Sequence, residues 1–155
     1  MKKLLKATII ISGYVALVTL IIKHIKLIEH LTRELKKNTL YFKLLALWEK
    51  KKAKGNNLGE YLKGNGIGSV AIYGAGDMGR LLCMELELSG VVVRYFIDRN
   101  TIRDDEHKVI NSDEEMEAVD AIIVTPFLDY DSIATVLREK TDSEILSLED
   151  IVYDY

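Results

Sequence analysis

Three glycines, Gly74, Gly76 and Gly79, follow the apolar run Ser69-Val70-Ala71-Ile72-Tyr73 in the order G-x-G-x-x-G, and Asp77-Met78-Gly79-Arg80 then opens an amphipathic pattern. This reads as a buried strand, a tight turn and the first turn of a helix. Chemistry at such a turn is anion binding. The first glycine permits the turn, the second lets the backbone approach a pyrophosphate, and the third lets the helix pack on its strand. Helix-start amides and the positive end of the helix dipole both favour a negative group there.

A second strand, Val91-Val92-Val93-Arg94-Tyr95-Phe96-Ile97, ends on Asp98. An acid about 20 residues past the glycines can accept both hydroxyls of an adenosine ribose. Gly74, Ala75, Gly76, Asp77, Met78, Gly79 and Asp98 are therefore the expected cofactor-binding residues. Asp98 favours an NAD-like ligand over one with a 2′-phosphate, whereas Arg99 and Arg103 weaken that preference because a guanidinium can hold a phosphate. Asp77 either caps the helix or swings aside, since a carboxylate next to a bound phosphate repels it. Thr125 and Pro126, which end the apolar run from Ala121, are expected across the crevice from the turn, either lining a ligand or forming a plain strand exit. A domain that keeps its glycines for packing and binds nothing tightly is the competing reading.

The other chemistry-bearing residues are sparse. His24 and His30 have no partners at ligand spacing. His107 sits in Asp104-Asp105-Glu106-His107, which reads as a solvated loop rather than a metal site, and Cys83 reads as a packed helix residue with no base nearby in sequence. No metal site and no catalytic residue is expected. No tyrosine is followed four residues later by lysine, so the short-chain-dehydrogenase pair is missing, and there is no lysine-containing phosphate loop. About 100 residues hold the nucleotide-type region, leaving nothing for a substrate domain; the chain alone is not expected to be an enzyme.

The elements that must position these residues follow from periodicity. Leu4 to Ile22 carries one charge, Lys6, and at about 1.5 Å per residue it matches a bilayer's hydrocarbon thickness. A single transmembrane anchor over residues 1–22 is expected. A cleaved signal peptide lacks its small-residue cut site here, and a core helix apolar on every face lacks protein to surround it. The larger basic cluster after the span favours a cytoplasmic C-terminal part. Residues 23–55 read as a basic amphipathic helical segment, broken at Asn38-Thr39. It lies on the membrane, pairs with a partner helix, or packs on the globular domain. From residue 56, Asn57 and Glu60 form a capping box, and strand and helix then alternate. Leu81, Leu82, Met84 and Leu86 are expected to face inward. Val109-Ile110 reads as a short strand, Ser112-Asp113-Glu114-Glu115 as a helix start and Glu144-Ile145-Leu146 as a last strand. Asp129 or Asp131 should cap the helix carrying Ile133, Val136 and Leu137. The predicted fold is α/β: a three-layer, Rossmann-like open parallel sheet of four or five strands.

Charge divides the chain of 155 residues in two. Residues 1–54 carry 13 Lys+Arg against 3 Asp+Glu, and residues 55–155 carry 8 against 21. The basic part suits an anionic membrane surface. The acidic part argues against nucleic acid as a partner. One cysteine excludes an internal disulfide.

Ile72-Tyr73-Gly74-Ala75-Gly76-Asp77-Met78-Gly79-Arg80, Tyr95-Phe96-Ile97-Asp98-Arg99-Asn100, Asp120 to Pro126 and Ser147-Leu148-Glu149-Asp150-Ile151 occur in order. With them, residues 57–153 resemble the Rossmann-like domains of bacterial surface-polysaccharide biosynthesis proteins. The resemblance implies a cell-envelope role and a nucleotide ligand, NAD or a UDP-sugar, at Gly74, Gly76, Gly79 and Asp98. The expectation is a membrane-anchored binding module, accessory or regulatory in such a pathway, with a membrane enzyme or a further copy of itself as partner. Two alternatives stand beside it: the cofactor-binding subunit of an oxidoreductase or nucleotide-sugar-modifying enzyme, and a nucleotide sensor on a transporter or channel.

Overall fold

The computed structural model describes residues 2–100 and 107–155, with side chains from Ser12 onward. Arg103 and the acids 104–106 lie outside the described residues. The chain divides into two compact units, residues 1–43 and 44–155.

The first unit belongs to α1 (Lys2–Ala53), a single helix. The expected break at Asn38-Thr39 does not occur. Thr39 turns its hydroxyl back onto the helix and donates to the Leu35 carbonyl at 2.8 Å, so its side chain no longer competes with the helical backbone. Among the described residues no helix is long and apolar enough to cross a membrane. The expected span Leu4–Ile22 falls partly outside that description, because the side chains before Ser12 do.

The second unit begins at Leu44, ahead of the linker at Gly55-Asn56-Asn57. Leu44 and Trp48 are 3% and 2% exposed, so the last turns of α1 belong to this unit's core. Of the readings open for the basic segment, packing on the globular part holds for these turns. Then follow α2 (Leu58–Gly64), β1 (Ser69–Tyr73), α3 (Asp77–Leu88), β2 (Val92–Ile97), β3 (Val109–Ile110) and β4 (Ala121–Val124). A 3-10 turn (Phe127–Asp129), α4 (Tyr130–Arg138), β5 (Glu144–Ser147) and α5 (Leu148–Asp154) complete it. Asn57 caps α2 by accepting from the Glu60 amide at 2.9 Å, as its capping box predicts.

The five strands form one parallel sheet in the order β3-β2-β1-β4-β5. A parallel sheet needs both faces covered, which explains why β4 reads as unbroken Ala-Ile-Ile-Val and is buried throughout. Alternate residues of β1 separate the two faces. Ala71 and Tyr73 share a core with Ile133, Ala134 and Leu137 of α4. Ile72 points the other way, towards Gly79 of α3. Helices thus lie on both faces, giving three layers, and the chain reverses its winding direction at β1, between β2 and β4. This all-parallel α/β architecture is compatible with a Rossmann-like fold.

Three expectations fail locally. Met84 is 61% and Leu81 43% exposed, because the inward stripe of α3 is Gly79, Leu82, Cys83 and Leu86 at helical spacing. Val136 is likewise exposed on α4, which buries Ile133 and Leu137. No helix starts at Ser112. Asn111 accepts from the Asp113 amide and the Glu114 carboxylate accepts from the Asn111 amide, so side chains close a turn that competes with helix. Asp129 does hold the N-cap position of α4, but its side chain makes no capping hydrogen bond.

Glu85, only 8% exposed on α3, joins three segments. It accepts from the Trp48 indole at 2.8 Å and the Leu58 amide at 3.4 Å, and pairs with Lys52 at 3.2 Å. Tyr155 closes the same corner: its hydroxyl donates to the Trp48 carbonyl at 3.1 Å, and Lys51 donates to its carbonyl while lying over its ring. Burial, with Glu85 and Glu49 nearby, holds the Tyr155 hydroxyl protonated well above the usual tyrosine range.

At the amino ends of β1 and β4, Asp120 accepts from the Gly68 and Ser69 amides at 3.0 and 2.7 Å and from the Ser69 hydroxyl at 2.9 Å. The Ser69 hydroxyl, then these amides, hold the carboxyl below the usual aspartate range. A depressed folded-state value stabilises the fold above the unfolded value of about 4, and that stability disappears as pH falls through the folded one. Thermal unfolding of Asp120→Asn against the parent is expected to show a lower Tm at neutral pH. The gap should begin to narrow below about pH 4 and close only once the pH has fallen past the depressed folded value, where both proteins carry an uncharged group.

Candidate functional site

At the carboxyl end of β1 the three glycines do different things. Gly74 has φ +103, a conformation that favours glycine, and a Cβ there would lie 2.5 Å from the Thr125 hydroxyl and 3.2 Å from Pro126. Gly79 faces the tightest contact, since a Cβ would stand 2.0 Å from the Gly74 carbonyl oxygen. That absence of a side chain lets α3 rest directly on the turn. Gly76 is the helix N-cap, with φ −81 and ψ −171, and a Cβ there would meet nothing within 4 Å. Its backbone therefore demands no glycine, and the space in front of it is open.

Asp98, at the end of β2, turns into this turn. One carboxylate oxygen accepts from the Ala75 amide at 2.9 Å and the other from the Asn100 amide at 2.9 Å. Gly74 donates to the Ile97 carbonyl at 2.8 Å and reinforces the join. The carboxylate is thus held by two backbone donors. It has about four lone-pair directions, so each oxygen can still accept one hydroxyl.

Asp77 is the first residue of α3 and is exposed, one position past the cap. It adds a charge beside the helix-start amides. Met78 is half-buried and Ala75 buried. Across the switch point, the Thr125 amide and hydroxyl both donate to the Tyr73 carbonyl at 3.0 Å. The Phe127 amide donates to the Thr125 carbonyl at 2.8 Å around Pro126, an inverse γ-turn. Thr125 and Pro126 therefore press on Gly74 itself and close the crevice at that point.

Arg99 leaves the strand end in the other direction. It lines a cavity of about 250 Å³ with Tyr73, Ser112, Ser132, Ile133 and Val136, on the α4 side. The expected residues thus form two groups: Gly74 to Gly79 with Asp98, Thr125 and Pro126 at the turn, and Arg99 in a separate hollow. That hollow would hold a ring or a single sugar rather than a whole dinucleotide.

One cluster has no warning in the linear spacing. Cys83 Sγ lies 3.5 Å from His107 Nε2, and the same nitrogen lies 2.8 Å from Glu87 Oε1. Cys83 and Glu87 are four residues apart on α3, a spacing that marks one helix face, but His107 comes from the bend two residues ahead of β3. The expectation of a solvated His107 is corrected here: its side chain is 19% exposed, packed edge-on against the buried Phe96 ring.

Fold and turn together describe a doubly wound parallel α/β domain with a glycine turn at its switch point. No family model, no curated protein and no solved structure matches the chain.

The glycines separate by substitution. Gly79→Ala should destabilise the protein by about 3 kcal/mol or more, because backbone cannot yield to the new methyl. Gly74→Ala should cost about 1–3 kcal/mol through its positive φ. Gly76→Ala should cost less than about 1 kcal/mol, the difference between glycine and alanine at an N-cap. Denaturant unfolding of the three variants reads this ranking.

Proposed function

We propose that the C-terminal unit binds a nucleotide through its glycine turn and that residues 4–22 anchor the chain in a membrane. One observation carries the first part: a doubly held carboxylate, Asp98, stands at the end of β2 beside a glycine turn whose middle glycine faces open space. A pyrophosphate would take the amides heading α3, which have no acceptor within the helix. The Asp98 oxygens would accept the two hydroxyls of a ribose, which selects a ligand with a free diol, NAD or a UDP-sugar, over one carrying a 2′-phosphate. The exposed Asp77 must turn to solvent when an anion binds.

The anchor is supported by exposure. Tyr14, Val15, Leu17, Val18, Leu20, Ile21 and Ile22 are all exposed, and seven such residues within nine positions surround the helix. A helix apolar on every face needs an apolar medium around it. The Thr19 hydroxyl donates to the Val15 carbonyl at 2.8 Å, which satisfies within the helix a polar group that lipid could not. Lys23, Lys26, Arg33, Lys36 and Lys37 follow the apolar stretch and favour a cytoplasmic C-terminal unit. The module then serves as an accessory or regulator in envelope polysaccharide synthesis, in line with the resemblance of residues 57–153.

Two measurements test this reading. In thermal unfolding, NAD or a UDP-sugar at about 100 times its Kd should add about 2.7 kcal/mol of stability, a Tm rise on the order of 10 °C. NADP should shift it far less. Gly76→Ala should remove the rise while leaving the unliganded Tm nearly unchanged, and Asp98→Asn should narrow the difference between NAD and NADP. No shift with any nucleotide would leave the turn a packing device. In membrane fractions, the full chain should resist an alkaline wash, and a chain starting at Leu44 should be released; release of the full chain would remove the anchor.

A further inference from the structure

Outside the glycine turn, the described residues contain one convergence of metal-ligating atoms. Ligand atoms of Cys83, Glu87 and His107 all lie within 4.8 Å of one another, and His107 Nε2 lies 3.5 Å from Cys83 Sγ and 2.8 Å from Glu87 Oε1. We propose that these three side chains bind a single zinc ion, with water as the fourth ligand.

The geometry favours a cation over a catalytic relay. In a cysteine–histidine–acid relay the thiol and the carboxylate engage opposite nitrogens of the imidazole, so that a proton can pass through the ring. Here both converge on Nε2. Cys83 and Glu87 therefore do not relay a proton to each other through the ring. The arrangement does surround one point in space with sulfur, oxygen and nitrogen donors.

One edge of the cluster already has the length that tetrahedral zinc requires. Zinc bonds of about 2.3 Å to sulfur and about 2.0–2.1 Å to nitrogen make a sulfur-to-nitrogen edge of about 3.5 Å. The Cys83 to His107 separation is 3.5 Å. A nitrogen-to-oxygen edge would be about 3.3 Å. The 2.8 Å contact between Glu87 and His107 is shorter, as befits a hydrogen bond, and must open by about half an ångström when the metal enters. Glu87, 48% exposed, has room to move outward.

Burial and chemistry select the metal. Cys83 is 3% exposed, and the Phe96 ring stands 5.5 Å from the His107 ring in an edge-on contact that sets the imidazole's direction. One wall of the site is therefore fixed before a metal arrives. The solvent side, at Glu87, leaves the position for water. Thiolate with imidazole disfavours calcium and magnesium, which take oxygen ligands, and the added carboxylate suits zinc over copper(I). On binding, the thiol proton leaves to solvent and the Nε2 proton is released or moved to the other ring nitrogen. The ion would tie α3 to His107, two residues ahead of β3.

The test uses the full chain in detergent, reduced, stripped of metal and dialysed against zinc. One zinc per chain is expected to survive competition with a chromophoric chelator. Cobalt(II) in its place should give a thiolate-to-metal charge-transfer band together with tetrahedral d–d absorption. Cys83→Ser should abolish the charge-transfer band, and His107→Ala should weaken zinc binding by at least about 100-fold, more than the loss of an outer-sphere partner costs. Glu87→Gln, a change at the surface, should weaken binding with an unchanged far-ultraviolet circular dichroism spectrum, so the site can be read without disturbing the fold. Failure of the parent protein to retain zinc would overturn the proposal. So would zinc that survives in all three variants, or a cobalt spectrum without a sulfur band.

Discussion

The fold turns on the contact between Gly79 and the carbonyl of Gly74. With hydrogen as its side chain, Gly79 lets α3 lie on the end of β1 at a separation that any Cβ would forbid. From that seating follows the placement of everything else α3 carries. Leu82 and Leu86 enter the core, Glu85 reaches Trp48, Lys52 and Leu58, and Cys83 and Glu87 arrive opposite His107. A helix displaced by one methyl group would loosen three separate sets of contacts at once.

The same seating imposes a conflict of charge at the turn. Helix-start amides attract an anion, yet Asp77 begins the helix and Asp98 already accepts the Ala75 amide. The two acids differ in freedom. Asp98 is held on both oxygens by backbone donors, whereas Asp77 is exposed and can turn to solvent. Thr125 and Pro126 narrow the crevice on the far side by packing on Gly74, which leaves the face of Gly76 as the open approach. A ligand of the proposed kind must therefore enter over Gly76, with its diol towards Asp98.

The division of charge along the chain corresponds to a division of packing. The acidic residues lie mostly in the unit built on the sheet, while the N-terminal part of α1 exposes apolar residues between basic ones. Leu44 and Trp48 show where one regime gives way to the other: from there α1 has protein to pack against, and these two side chains are buried while Leu45 and Leu47 are half-buried.

Much of this was legible in the amino-acid order because it rests on local rules. The glycine spacing, the apolar runs of β1, β2 and β4, the cap at Asn57 and the short β3 and β5 each follow from backbone geometry or periodicity that a few neighbouring residues determine. The candidate turn residues were readable for the same reason. What required the tertiary structure was every relation between distant residues. The false helix at Ser112 shows that side-chain-to-backbone bonds can outcompete a capping pattern. Met84 lies outside because the seating of Gly79, rather than hydrophobicity, sets the rotation of α3. Arg99, next to Asp98 in the chain, lies away from it in space because successive residues leave a strand end in opposite directions. Cys83, Glu87 and His107 meet only because β2 and β3 pair beside α3, and no rule of spacing connects residues that sheet pairing alone brings together.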